Sequence, residues 1–320
     1  MSDFYKGKNV VVLGGAGFVG QYLCRLLEKR GANVFVIDDY SRHVDLKIDQ
    51  YLNRVSRKSS TRLNISKMHL LGTRLKEINP FAVFNLAAAV AGVEYNQKHH
   101  NQMFIDNVPL QATPVMACEL LDIPHFLQVS SACVYGQDAN APAVEDELGG
   151  EPVAANAGYS WAKRMGERAV QWSNLQHAVI VRPSNIYGPG DWYDDRAHVI
   201  PKLIKGYNEG TAKMFGLHLK REFIYVEDAV KGMVAALEDG THKEAYNLGS
   251  NHVISMHSLH MAISSEMNKP PADQTKPNFD QGDDMRCSNT AKAAAHLGWV
   301  AETPFLTGLG KTIEAYLGAK

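Results

Sequence analysis

Tyr159 and Lys163 stand four residues apart in a stretch with helical spacing, so both side chains leave one helix face. An ammonium beside a phenol favours the phenolate and can hold a ribose hydroxyl, which makes such a tyrosine a usable base near neutral pH. The pattern is weak alone, because a chain with 13 tyrosines carries about 0.8 such pairs by chance. A second pair, Tyr316 and Lys320, sits at the chain end and is read as that chance match. Order along the chain singles out the first pair. It follows a glycine-rich segment, Gly14-Gly15-Ala16-Gly17-Phe18-Val19-Gly20, and a later segment ending in Ser130-Ser131. Glycines at this spacing, after a strand and before a helix, permit a tight turn, a backbone approaching a pyrophosphate without a Cβ, and a helix N-terminus facing the anion. Asp38, 18 residues after Gly20, closes the next strand, with Asp39 beside it. A carboxylate there accepts hydrogen bonds from the adenosine ribose hydroxyls and repels a 2′-phosphate. NAD is therefore the expected cofactor; Arg42 is the residue that would speak for NADP, since an arginine nearby can bind a 2′-phosphate.

The elements that must hold these groups alternate. Apolar runs predict strands over 9–13, 34–37, 68–71, 82–86, 125–130 and 178–182. Helical spacing predicts helices over 18–30, with Gly31 as C-cap, over 101–121 and over 159–173. Pro109 and Pro114 argue that the second of these is bent or starts late. The repeated strand-then-helix rhythm implies an α/β chain of Rossmann type, a doubly wound parallel sheet. After Gly188 the segments become shorter and mixed: a strand over 221–226, a helix over 227–238 and a strand over 245–248. Residues 1–188 are read as a dinucleotide-binding domain. Residues 189–320 are read as a smaller α/β lobe, mainly for substrate, with some return of chain to the first domain.

Composition narrows the partners. The 320 residues are 45% hydrophobic and 21% charged, enough to bury a full core. The formal charge of −1 gives no reason to expect nucleic acid. The apolar run over 10–19 imitates a signal peptide, but Gly14, Gly15 and Gly17 suit a turn; no membrane partner is expected. Cys24, Cys118, Cys133 and Cys287 are too few and too scattered for a disulfide framework, which points to a reducing cytoplasm. His99 and His100, and His252, His257 and His260, lack ligand spacing for a metal and are read as surface.

Taken together, several segments resemble the extended short-chain dehydrogenase/reductases, the nucleotide-sugar epimerase/dehydratase group. They are the glycine segment, Asn85-Leu86-Ala87-Ala88, Ser130-Ser131-Ala132-Cys133-Val134-Tyr135, Tyr159-Ser160-Trp161-Ala162-Lys163 and Arg182-Pro183-Ser184-Asn185-Ile186-Tyr187-Gly188-Pro189. Further on, Arg221 to Asp228, Asn247-Leu248-Gly249 and Leu297-Gly298-Trp299 match as well. The resemblance implies Tyr159 as base and Lys163 as its partner. It implies Ser131 as the group on the reacting sugar hydroxyl, and Leu86 and Ala87 as part of the cofactor wall. Asn185, Arg221 and Arg286 would face the nucleotide end or its phosphates. It also implies a homodimer built from the helices at 101–121 and 159–173. Asn85 departs from the usual His, and Asn289 from the usual Asp; Asn64-Ile65 replaces the acidic residue that often meets adenine.

Cys133, two residues after Ser131, separates the reactions. In the 4,6-dehydratases of this group Asp and Glu follow the serine or threonine; here Ala132 and Cys133 do. A cysteine there, with His198 after the Asn185 to Pro189 motif, looks like the GDP-mannose 3,5-epimerases and GDP-fucose synthases. Oxidising the sugar at C4 acidifies the protons at C3 and C5. Inverting those centres needs one group to remove a proton and another, on the opposite ring face, to return one. A thiol of pKa about 8.5 and an imidazole of about 6.5 both serve near neutrality. The expected function is that of an NAD-dependent epimerase acting on a nucleotide sugar, GDP-linked by preference. The alternatives are a 4-keto-sugar epimerase/reductase, a plain 4-epimerase and a non-catalytic nucleotide-binding protein.

Overall fold

A computed structural model describes residues 3–41, 59–191, 193–194, 196–275 and 283–318. Arg42 and Lys320 lie outside the described residues. The main sheet has seven parallel strands in the order β3-β2-β1-β4-β5-β6-β9. These are β1 (Asn9–Leu13), β2 (Asn33–Asp38), β3 (Ser60–Arg62), β4 (Ala82–Asn85), β5 (His125–Val129), β6 (His177–Pro183) and β9 (Ala245–Leu248). Side-chain alternation along β1 shows why both faces are covered. Val10 and Val12 enter one core, whereas Val11 and Leu13 enter the other, and all four are fully buried. The first core packs against α1 (Phe18–Lys29) and α7 (Val226–Asp239). The second packs against α2 (Met68–Ile78), α4 (His100–Leu120) and α5 (Ala157–Trp172). The expected doubly wound sheet is thus present. Strand order reverses between β1 and β4, and a crevice at the strand ends beside such a reversal is where open α/β sheets bind ligands.

Two local expectations need correction. The run at 68–71 is not a strand but the first turn of α2; the third strand is β3. Leu71, Leu75 and Ile78 are buried at helical spacing, and this longer stripe outweighs four apolar-looking residues. Helix α4 does not start late: it runs from His100 to Leu120 with Pro109 and Pro114 inside it. Pro114 has no N–H for the carbonyl of Leu110. That orphan accepts instead from Asn85 Nδ2 at 3.0 Å.

The remaining strands form a second, smaller sheet around β8 (Lys220–Tyr225). It pairs with β7 (Asn185–Tyr187), β10 (Val253–Ser255) and β11 (Met285–Arg286). Helices α6 (Val199–Glu209), α8 (Met256–Glu266), α9 (Ala291–Leu297) and α10 (Phe305–Gly318) complete this half, and short α3 (Val93–Lys98) precedes α4. The chain crosses back, since α7 and β9 belong to the large sheet's layers. Among the described residues no helix is long and apolar enough to cross a membrane.

Candidate active site

The glycine segment turns between β1 and α1, and two of its glycines, Gly14 and Gly20, have a clear steric reason. Gly14 has φ +77°, and a Cβ there would lie 2.9 Å from the amide nitrogen of Ala87. A Cβ on Gly20 would lie 2.3 Å from the Gly14 carbonyl oxygen. Bare backbone thus lets the turn close on Ala87 and lets α1 pack onto the turn, while Gly17, the N-cap of α1, lines the crevice, where a helix N-terminus favours an anion. The Asp38 carboxylate accepts from the amides of Ala16 at 3.0 Å and Tyr40 at 2.8 Å. It thereby ties the turn to the end of β2. Burial raises its pKa against the pull of those two bonds. Asp39 is exposed and accepts from Ser41 N at 2.9 Å.

These groups share one cavity of about 790 Å³, whose lining includes Gly14, Gly17, Phe18, Val19, Gly20, Asp38, Asp39, Leu86 and Ala87. The same cavity is lined by Ser131, Cys133, Tyr159, Lys163, Asn185, His198, Arg221 and Arg286. Every described residue named from the sequence for catalysis, cofactor or substrate therefore faces a common space. The cradle left by the glycines and the carboxylate at the end of β2 fit an adenine dinucleotide.

Lys163 Nζ lies 5.7 Å from the centre of the Tyr159 ring and donates to Val129 O at 2.7 Å and Gln111 Oε1 at 3.1 Å. Burial drives the lysine down to about 7, while the charges of Glu167 and Cys133 resist this. Burial also raises the Tyr159 phenol, as does a negative charge on Cys133; its hydrogen bond with Ser131 acts the other way. A positive charge brought into the cavity therefore favours the phenolate. Ser131 Oγ accepts from the Cys133 amide at 3.1 Å, fixing serine and cysteine on one short turn. Arg286 Nη1 donates to Cys133 Sγ at 3.4 Å, and Arg286 Nη2 pairs with Asp283 at 2.7 Å. Burial opposes the Arg286 charge, but Cys133 and Asp283 outweigh it and raise its pKa. Arg221 sits opposite Arg286 in the β8–β11 register. Burial, and then repulsion from Arg286, lower Arg221 to about 10. Two guanidiniums held side by side have the charge and the donors that could hold a diphosphate. Asn185 donates to Glu222 O at 2.7 Å. His198 Nδ1 lies 3.2 Å from an oxygen of Asp191, which is buried, whereas the imidazole is 39% exposed toward the cavity side.

Several partners escaped the sequence reading. Gln111 on α4 links Lys163 to Gln128 Nε2 at 2.6 Å, and Gln128 Oε1 accepts from Asn85 at 3.1 Å. Asn85, which departs from the usual residue, is thus part of the lysine's support. Buried Arg182 forks onto Glu167 through Nε at 2.9 Å and Nη2 at 2.7 Å, and Ser130 Oγ donates to the same carboxylate. Polar residues inside otherwise apolar strands, Gln128 and Arg182, were the available signal. His260 corrects the surface reading of the histidines: it is 3% exposed, 3.2 Å from the Tyr207 hydroxyl. Asn289 Oδ1 accepts from Ala291 N, the first amide of α9, at 2.9 Å. Among the described residues no group of His, Cys, Asp or Glu could hold a metal, and the four cysteines are free thiols.

Fold and glycine cradle together define a dinucleotide-dependent enzyme of Rossmann type. The chain belongs to the NAD dependent epimerase/dehydratase family, whose model matches residues 10–249. It is 24% identical to UDP-glucuronate 4-epimerase 2 of Arabidopsis thaliana over 98% of this chain and 76% of that protein. It is 26% identical to GDP-L-fucose synthase of Sinorhizobium fredii over 97% of this chain and 96% of that protein. A UDP-glucose 4-epimerase from Thermotoga maritima, solved with UDP-glucose, superimposes with a TM-score of 0.86. It is 22% identical, covering 97% of this chain and 98% of that chain.

Proposed function

We propose that this protein is an NAD-dependent nucleotide-sugar epimerase that inverts C3, C5 or both, with a GDP-sugar as substrate. One observation carries the reading: Cys133 and His198 line the same cavity as Ser131, Tyr159 and Lys163. Each has a charged neighbour suited to proton transfer, Arg286 at the sulfur and Asp191 at the imidazole.

The nicotinamide, when bound, supplies a reversible two-electron acceptor at C4. Tyr159 takes the C4 hydroxyl proton, with Ser131 orienting that oxygen and Lys163 stabilising the phenolate. The resulting ketone acidifies C3 and C5. One of Cys133 and His198 removes a ring proton, and the other returns one to the opposite face. Tyr159 then gives its proton back as C4 is reduced. Arg221 and Arg286 hold the diphosphate so that the sugar stays in place while its stereochemistry changes, and Asn185 faces the nucleotide end.

GDP-mannose in D₂O is the decisive test. Wild type should place deuterium at C5, C3 or both. Cys133→Ser and His198→Asn should spare C4 oxidation and abolish that exchange. Tyr159→Phe should lose about 10²–10⁴-fold in C4 oxidation while still binding NAD. A product without ring deuterium would remove the proton-transfer role and leave a 4-epimerase. A second reading, a GDP-4-keto-6-deoxy-sugar epimerase/reductase, draws on the full-length similarity to GDP-L-fucose synthase; it requires NADPH consumption, which Asp38 opposes.

The proposal extends to a homodimer. Phe104, Met116 and Leu120 on α4, with Trp161, Met165 and Trp172 on α5, are exposed apolar groups. A second copy of the same helix pair would cover them. Light scattering at micromolar concentration should give twice the chain mass of 35.3 kDa, and a monomer refutes this.

A further inference from the structure

His198 sits at the N-cap of α6, on a segment that must be placed to within a fraction of an ångström if its imidazole is to meet a ring proton. Asp191 holds the ring itself. The backbone beneath it is held from elsewhere, by the stretch that leads from β4 into α3. Gly92 N donates to Arg196 O at 3.0 Å. A Cβ on Gly92 would lie 2.7 Å from the carbonyl oxygen of buried Ala197. Ala197 is itself tied by its amide to Asp194 O at 3.1 Å. One turn further out, Lys202 Nζ on α6 pairs with Glu94 Oε2 on α3 at 3.0 Å. The two segments therefore meet at an inner backbone rung and an outer ion-pair rung, with His198 between them in sequence.

Gly92 has φ −67° and ψ 164°, a conformation open to any residue. Its own backbone gives no reason for glycine. The reason is the close approach of the Ala197 carbonyl. We infer that Gly92 is a positioning residue for His198: the missing side chain sets how deeply the 196–198 backbone seats, and so where the imidazole stands against the sugar. This rests on the proton-transfer role proposed for His198. It adds that a residue with no chemistry of its own, on a different element, controls the proton-transfer step and leaves C4 oxidation alone.

The test uses purified holoenzyme with GDP-mannose in D₂O. Ring deuterium is read by mass spectrometry, and C4 oxidation by the absorbance of reduced nicotinamide. Gly72→Ala is the reference, because a methyl added there meets nothing within 4 Å. Gly92→Ala should lower deuterium incorporation by about 10- to 100-fold, since displacements on the order of 1 Å cost about 10². Its C4 oxidation should stay close to that of Gly72→Ala. Equal exchange in the two glycine variants, or a parallel loss of oxidation and exchange in Gly92→Ala, overturns the inference. His198→Asn separates the levels: normal exchange there refutes the role of His198. Lost exchange there, with normal exchange in Gly92→Ala, refutes only the positioning. If Gly92→Ala does not fold, Glu94→Ala cuts the outer rung at a half-buried surface position. It should lower the exchange-to-oxidation ratio about twofold to fivefold. An unchanged ratio overturns the inference.

Discussion

Removing Arg182 tests how the helix that carries Tyr159 and Lys163 is held. Arg182 and Glu167 each expose 2% of their side chains and meet in a two-bond fork. Arg182 Nη1 also donates to Glu145 O at 2.7 Å and to the Tyr135 hydroxyl at 3.1 Å. Arg182→Met leaves the Glu167 carboxylate buried without its cation, and the cost of breaking such a pair is about 3–5 kcal/mol. Glu167→Leu leaves the guanidinium in the same position and should cost a similar amount. The double variant strands no charge. Its residual cost is the loss of partners for Ser130 Oγ and the Glu145 carbonyl, about 1–3 kcal/mol in total if both relax partly toward other groups. Tyr135 keeps its bond to Asn247 at 2.6 Å. The double variant should therefore be at least as stable as either single one, with a coupling energy of about 3 kcal/mol or more. The assay is urea unfolding followed by circular dichroism, with NAD at one saturating concentration for all four proteins. Single effects that add to within about 0.5 kcal/mol would refute the coupling.

Burial lowers Lys163 from 10.5 to about 7. The unfolded chain therefore binds a proton that the folded chain loses, a penalty that grows as pH falls from 10.5 to 7 and is constant below. Lys163→Met should stabilise the protein by roughly 3 kcal/mol at pH 7 after loss of its two hydrogen bonds, fading toward pH 10.5, while activity falls; thermal scans against pH check this. Burial, and then His257, lower His260 from 6.5 to about 4. Stability should fall as pH drops from 6.5 toward 4, by on the order of 3 kcal/mol for this group. His260→Leu should lack that part of the acid sensitivity in urea titrations. Gly20→Ala should open the turn at Gly14, since its Cβ would lie 2.3 Å from that carbonyl. The purified variant should carry little NAD by mass spectrometry, and full occupancy would refute the cradle. Asp38→Ala should lose the preference for NAD over NADP in a binding titration, and an unchanged preference would remove its role.

What the amino-acid order determined by itself was local or periodic. The glycine turn is legible because only glycine leaves its backbone bare, and β1 because a strand buried on both faces is a continuous apolar run. Tyr159 and Lys163 are legible because one helical turn sets their spacing. The error at 68–71 came from a short window in which Met68, Leu70 and Leu71 imitate a strand; the decisive residues, Leu75 and Ile78, lie a turn or two further on. Packing alone decided the long-range partners. Gln111 reaches Lys163 across 52 residues and Arg286 reaches Cys133 across 153. No spacing rule links such pairs, because the sheet order that joins them forms only when the crossovers close. Pro114 shows the two levels together. Its missing N–H is written in the sequence, but the use of the freed Leu110 carbonyl by Asn85 follows from where β4 lies against α4. His260 was misread for the same reason: a histidine is more often exposed than buried, and its burial comes from packing against Tyr207 on a different helix.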